Sequence, residues 1–256
     1  MSLKEDRVKI VLETIPVWDG LKEDSECFLC SLMKEAESDA IRYYLSSAVM
    51  TPEVRVETNT YGFCPHHHRK LAEANKPQVL ALIMDTYYDE NKKSFKSCFE
   101  KIAASKKAKN AKKAIKEFEE VFKEREKGCL VCTRMNDRLY RYCFTIAALY
   151  EQDEDFKKAL SESKGFCIHH TLELAKVAGD AISSDALLGF YKTIFSLLER
   201  NLERVQKDDW WMTQKYKSEN KDKPWNGCED AQKRAVYKLV GEADVIDPLR
   251  DKKSRI

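Results

Sequence analysis

Apolar residues recur three and four positions apart through most of the chain, with polar residues between them. Leu32, Met33, Ala36, Ala40, Ile41, Tyr44 and Leu45 form one such stripe, and Met135, Leu139, Tyr142, Cys143, Ile146 and Leu149 form another. That period belongs to a helix with one face turned toward a core. No window shows the period-two alternation of a half-buried strand. Two longer stripes follow. Pro77, suited to a first helical turn, precedes Val79, Leu80, Leu82, Ile83, Tyr87, Phe95, Phe99 and Ile102. Ser184 or Asp185 can cap the stripe of Leu187, Leu188, Tyr191, Ile194, Phe195, Leu198 and Leu202. A short amphipathic opening (Val8, Ile10, Val11, Leu12) and a last amphipathic helix from about Cys228 to Leu239 complete the pattern.

The stripes come in matching order, and so do the residues that introduce them. Cys27-Phe28-Leu29-Cys30 opens the first and Cys129-Leu130-Val131-Cys132 the second. Shorter segments, Pro52 to Thr58 and Asp153 to Ser161, lead to Gly62-Phe63-Cys64-Pro65-His66-His67 and to Gly165-Phe166-Cys167-Ile168-His169-His170. Each glycine there can take the positive φ of a tight entry into the next helix, through Leu71 in one copy and Leu172 to Val177 in the other. Cys129 follows Cys27 by 102 residues, Cys167 follows Cys64 by 103, and His170 follows His67 by 103. An internal duplication is the simplest cause. The expected fold is all-α: a tandem duplication of a metal-stapled helical unit, with long amphipathic helices and a C-terminal helical tail. Its expected divisions are an N-terminal helix over 1–19, a first repeat over 20–105, a Lys-rich connector over 106–121, a second repeat over 122–208, and a Trp-containing tail over 209–256 that packs on the core.

A Cys-x-x-Cys loop turns two thiolates toward one point, and three residues along a helix bring Cys64 and His67, or Cys167 and His170, onto one face. The spacing therefore predicts Cys27, Cys30, Cys64 and His67 as one site and Cys129, Cys132, Cys167 and His170 as the other. If the Gly-Phe-Cys segment is a turn instead of a helix start, His66 and His169 compete for the fourth place. Three thiolates and an imidazole suit tetrahedral Zn²⁺, giving two zincs per chain. An iron–sulfur cluster is the alternative metal centre, disfavoured because ordinary clusters take four cysteines. Dithiol exchange at the Cys-x-x-Cys pairs lacks the surrounding βαβ pattern. Four protein ligands leave no open position for substrate, so the metals read as structural. His66, His68 and His169 are left as supporting or surface groups. Cys98, Cys143 and Cys228 follow no spacing rule and read as ordinary buried or half-buried cysteines.

Composition narrows the reading further. With 34% charged residues, eight glycines and six prolines among 256 residues, helix is favoured over strand, and 43% hydrophobic residues suffice for a core beyond the metals. A formal charge of +2 gives no global pull toward nucleic acid or anionic membrane. No leader and no membrane-length apolar run is evident, so a cytoplasmic protein is expected, its close cysteine pairs held as thiolates in a reducing compartment. The lysines from Ser105 to Lys113 lack aromatic partners and read as a solvated linker or helix face. Trp210, Trp211 and Trp225 read as a clamp for the tail, with a partner surface as the alternative.

The paired motif, Cys-x-x-Cys and then Gly-Phe-Cys-x-x-His, resembles a family of uncharacterised bacterial proteins classed as a domain of unknown function. The resemblance covers most of the chain, including Cys228 to Val236 and Leu239-Val240-Gly241. It implies Cys27, Cys30, Cys64, His67, Cys129, Cys132, Cys167 and His170 as shared positions and supplies no activity. His68 is a local departure.

Three function classes remain, led by a non-enzymatic interaction or regulatory module with a protein partner. That reading follows from closed ligand sets and from the absence of a nucleotide loop, nucleophile elbow or His-Glu-x-x-His helix in the sequence. A metalloenzyme or redox protein built on the same clusters is the alternative. Nucleic-acid binding through Lys101 to Lys116 is the third, weakened by the missing two-cysteine, two-histidine finger spacing. Long amphipathic helices are compatible with a homodimer.

Overall fold

The computed structural model describes residues 12–126 and 128–242. Among them are eleven α-helices, two short 3-10 helices and no strand. The helices are α1 (Thr14–Lys22), α2 (Phe28–Tyr44), α3 (Pro52–Tyr61), α4 (Pro65–Glu73), α5 (Pro77–Ala103), α6 (Ala108–Glu126), α7 (Leu130–Gln152), α8 (Glu154–Glu162), α9 (Ile168–Ala181), α10 (Ser184–Lys215) and α11 (Ala231–Val240). Three of them start on proline at the first turn, where the missing N–H costs no hydrogen bond: Pro52, Pro65 and Pro77. Asp153 caps α8 by accepting from the Phe156 amide. The cap of α10 is Ser183, which accepts from the Ala186 amide, one residue before the expected Ser184. Each such cap contributes about 1 kcal/mol.

The compact units of the fold cut across the sequence repeats. One unit, here called inner, is Ala36–Met135; the other, outer, comprises the described residues through Glu35 and from Asn136 onward. The boundaries fall within α2 and α7, so each of these helices supplies residues to both units.

In the inner unit α5 packs on α3, α4 and α6. The expected Lys-rich connector is helical: Lys109, Lys112 and Lys113 lie in the first turns of α6. α5 and α6 are held by a ladder of rings, with Phe118 set 5.6 Å from Phe95 and 5.2 Å from Phe99. Phe99, Ile115 and Phe122 nevertheless remain exposed.

The outer unit has a fully buried apolar core. Leu29, Ile146, Leu160, Leu174 and Phe190 are all essentially inaccessible, and Trp18 of α1 meets Phe156 of α8 edge-on at 5.1 Å. α10 packs on α8, α9 and α11. The tryptophans of the tail divide their roles. Trp211 donates to the Pro224 carbonyl, Trp225 lies against Tyr216 with Lys215 over its face, and Trp210 is exposed. Of the amphipathic opening, Val8, Ile10 and Val11 lie outside the described residues, as does the part of the tail beyond Glu242; Leu12 is exposed.

Candidate metal centres

Each Gly-Phe-Cys segment is a tight turn followed by a helix. Gly62 and Gly165 sit at φ +63° and +68°, a region where a side chain is strained. Cys64 and Cys167 are then the N-caps of α4 and α9, placing the histidine three residues on over the same end of the helix. The Cys167 sulfur accepts from the His170 amide. His67 and His170, and neither His66 nor His169, are the histidines that reach the sulfurs.

The four-residue sets form between repeats. Cys27, Cys30, Cys167 and His170 make one cluster, and Cys64, His67, Cys129 and Cys132 the other. The expected grouping within each repeat, Cys27 and Cys30 with Cys64 and His67, and Cys129 and Cys132 with Cys167 and His170, is corrected: all eight residues enter clusters, with exchanged partners. The reason lies in α2, which starts at the Cys-x-x-Cys pair and carries the chain away at about 1.5 Å per residue. When the chain returns, Phe63 packs on Tyr44 near the far end of that helix, ring centroids 5.3 Å apart, and His67 meets Glu37. The segment waiting there belongs to the second repeat: the Leu130 amide donates to the Gly62 carbonyl at 3.1 Å. In the outer unit the corresponding tie is a ring contact, Phe28 on Phe166 at 4.8 Å.

In both clusters the histidine Nδ1 faces three sulfurs. His170 Nδ1 is 3.3 Å from Cys27, 3.4 Å from Cys30 and 3.5 Å from Cys167. His67 Nδ1 is 3.3 Å from Cys64, 3.2 Å from Cys129 and 3.5 Å from Cys132. The sulfur pairs Cys30–Cys167 and Cys64–Cys132 are each separated by 4.0 Å. Bond lengths of about 2.3 Å to sulfur and 2.0–2.1 Å to nitrogen give a tetrahedron with S···N edges of about 3.5 Å and S···S edges of about 3.8 Å. The donor sets match those edges to within a few tenths of an ångström, so both clusters can hold a metal ion.

The donors of each cluster pull one another's pKa values in both directions. Hydrogen bonds from Cys129 and Cys132 push the Cys64 thiol far below the ordinary range, and those from Cys27 and Cys30 do the same for Cys167. Burial pushes the Cys27 thiol well up, and the hydrogen bond with Cys129 raises Cys132. Burial opposes the charged imidazoles, yet hydrogen bonds with Cys129, Cys64 and Glu37 carry His67 to about 11, and those with Cys167 and Cys30 carry His170 to about 10.

The surroundings of the two clusters differ. In the inner cluster His67 Nε2 lies 3.1 Å from Glu37 Oε1, which also takes His66 Nε2 at 3.0 Å. A carboxylate on the far nitrogen fixes the tautomer that leaves Nδ1 free for a metal. Glu37 is buried, and although burial raises its pKa, the two histidines bring it below the usual carboxylate range. The position 102 residues further on is Leu139, also buried. His68, the departure noted in the sequence, packs edge-on against Phe63 and Tyr87.

The outer cluster has a lysine instead. Lys238 of α11 is fully buried and donates to the carbonyls of Glu26 and Lys164, the residues that lead into Cys27 and into Gly165-Phe166-Cys167. Its ammonium is 3.4 Å from the Glu26 carboxylate, which Arg204 also engages. Burial lowers the Lys238 pKa. Sequence reading missed Glu37 and Lys238. Each carried a signal: Glu37 aligns with a core leucine of the other repeat, and Lys238 lies seven residues after the buried Ala231, on the same helical face.

Fold and site together define an all-α protein with two clusters, nested along the chain, each of three cysteines and one histidine. The chain belongs to the Family of unknown function (DUF6062), which it matches over residues 8–245. No curated protein matches it significantly, and no solved structure does. Among the described residues, no helix is long and apolar enough to cross a membrane.

Proposed function

We propose that this protein is a zinc-binding interaction or regulatory module of the cytoplasm, with one structural zinc in each cluster and a protein partner. The observation that carries the reading is the donor set itself: three sulfurs and one Nδ1 at tetrahedral edges, buried in a helical fold. Zn²⁺ accepts this geometry without redox cost, and four protein donors leave no place for a substrate. Histidine in both sets argues against an iron–sulfur cluster. Exposed apolar surface supports a protein partner. Leu172, Ala175, Tyr191 and Phe195 line a shallow, mainly apolar cavity of about 410 Å³ between α9 and α10, with Leu188 exposed on α10.

Elemental analysis of protein purified without added metal, with an optical spectrum, tests the reading. Two zincs per chain and no visible absorbance are expected. Iron with sulfide, or a metal that binds exogenous ligands, would replace this reading with redox or catalytic chemistry.

A further inference from the structure

The two clusters are built from the same residue types and protected in opposite ways. Of the eight donors, seven are at most 3% exposed; Cys132 of the inner cluster is only half-buried. The outer cluster lies under the C-terminal segment. A Cβ on Gly241 would stand 3.5 Å from the Cys30 sulfur and 3.7 Å from the Cys167 sulfur, so the backbone there rests directly on the thiols. An ion pair between Lys34 and Glu242 and the buried Lys238 tie that segment down.

Charge divides them as well. A divalent ion with three thiolates and a neutral imidazole carries one net negative charge. Beside the outer cluster the Lys238 ammonium opposes that charge, and Arg204 opposes Glu26. The inner cluster has the Glu37 carboxylate on its histidine, which adds negative charge. Among the described residues the buried lysines are Lys215 and Lys238, both in the outer unit. The inner cluster thus carries the more negative charge, and Cys132 is its one half-buried donor; nucleophilicity rises with electron density on sulfur, and attack requires access.

We infer that the inner cluster is a modification site for two-electron oxidants of the peroxide class, with Cys132, a thiolate when it ligates zinc, as the attacking group and the outer cluster as an inert staple. This inference rests on the zinc reading above. The Cys132 sulfur attacks one peroxide oxygen, the O–O bond breaks, and hydroxide leaves and is protonated by solvent to water. The resulting sulfenic acid is attacked by the Cys64 sulfur, 4.0 Å away in the reduced cluster, closing a disulfide. The sulfenic hydroxyl leaves as hydroxide and takes a solvent proton. In sum two thiolates lose two electrons, and one peroxide with two protons becomes two waters. A cluster with two of its four donors oxidised no longer holds its metal.

The test uses the full-length protein as purified, its zinc counted first. Hydrogen peroxide is added near stoichiometry, zinc release is followed with a chromogenic chelator, and cysteine oxidation is mapped by differential alkylation and mass spectrometry. One zinc per chain is expected to leave at least about tenfold faster than the other, with Cys132 the first cysteine lost and a Cys64–Cys132 disulfide in the product. In Lys238→Met the slow phase should accelerate toward the fast one, with Cys27, Cys30 and Cys167 now oxidised. Two zincs that leave at one rate, or oxidation of the outer cysteines first, overturn this inference and leave the zinc reading intact. Protein purified without two zincs overturns the zinc reading and this inference with it.

Discussion

The outer and inner clusters compare two solutions to one problem, burying a thiolate-rich group in a helical protein. The outer solution is burial under a C-terminal segment with a lysine set against the charge. The inner solution has no buried lysine among the described residues: Glu37 links His67 to His66, which keeps 35% of its side chain exposed. Identical donors therefore do not imply identical sites. What surrounds them decides which is inert.

The comparison breaks most sharply at the donors. Cys27→Ser and Cys167→Ser should each remove the same single zinc, and their combination should remove no second one, because both belong to the outer cluster. Cys64→Ser and Cys129→Ser should pair in the same way for the inner zinc. Elemental analysis of the four single and two double variants reads this directly; loss of both zincs from the Cys27→Ser, Cys167→Ser double variant would restore the within-repeat grouping. Thermal midpoints should fall strongly in all, since a structural zinc contributes about 10–16 kcal/mol in small peptides and a sizeable part of that here.

Next in size is Lys238→Ala. It leaves the buried Glu26 carboxylate short of one cation and two loop carbonyls without a donor, a loss of about 3–5 kcal/mol in denaturant unfolding. The paired turn glycines sharpen the comparison further. Alanine at Gly165 meets Leu197 carbons at 2.8 Å, whereas alanine at Gly62 meets a Tyr87 ring carbon at 3.1 Å. Both substitutions incur about 1–2 kcal/mol from the left-handed backbone. Gly165→Ala should add a further ~1–3 kcal/mol of overpacking, so equilibrium unfolding should rank it below Gly62→Ala. Smallest is Glu37→Gln, which keeps an acceptor for His67 but removes the charge. Competition with a graded chelator should show zinc affinity about tenfold weaker at the inner cluster, with the outer zinc unchanged.

Much of this architecture was legible in the residues. The stripe from Leu32 to Tyr44 is α2, that from Met135 to Leu149 lies in α7, and Pro77 does open α5. Periodicity is local, and a helix with a continuous apolar face records it directly. The exchange of partners between repeats was not legible. A tetrahedral set of three sulfurs and one nitrogen is complete whichever Cys-x-x-Cys meets whichever Cys-x-x-His, so spacing carries no vote. The deciding facts are the length of α2 and the docking of Leu130 on Gly62, both tertiary. Glu37 and Lys238 were hidden for a related reason: a charged residue in a helix reads as solvated until a buried partner is seen. Comparison of the two repeats against each other, Glu37 beside Leu139, would have exposed the first of them.

The nesting of the clusters along the chain also sets an order of events during synthesis. The inner cluster has its last donor at Cys132 and the outer at His170, 38 residues later. At about 5–20 residues per second, the ribosome gives the inner site a lead of about 2–8 s in which its four donors have been made while Cys27 and Cys30 still lack Cys167 and His170. The first set of donors to be completed therefore lies in the middle of the sequence. The outer set, which joins the first Cys-x-x-Cys to the second Cys-x-x-His, is complete only afterwards, so an ion held there would report that both pairs of motifs have been made.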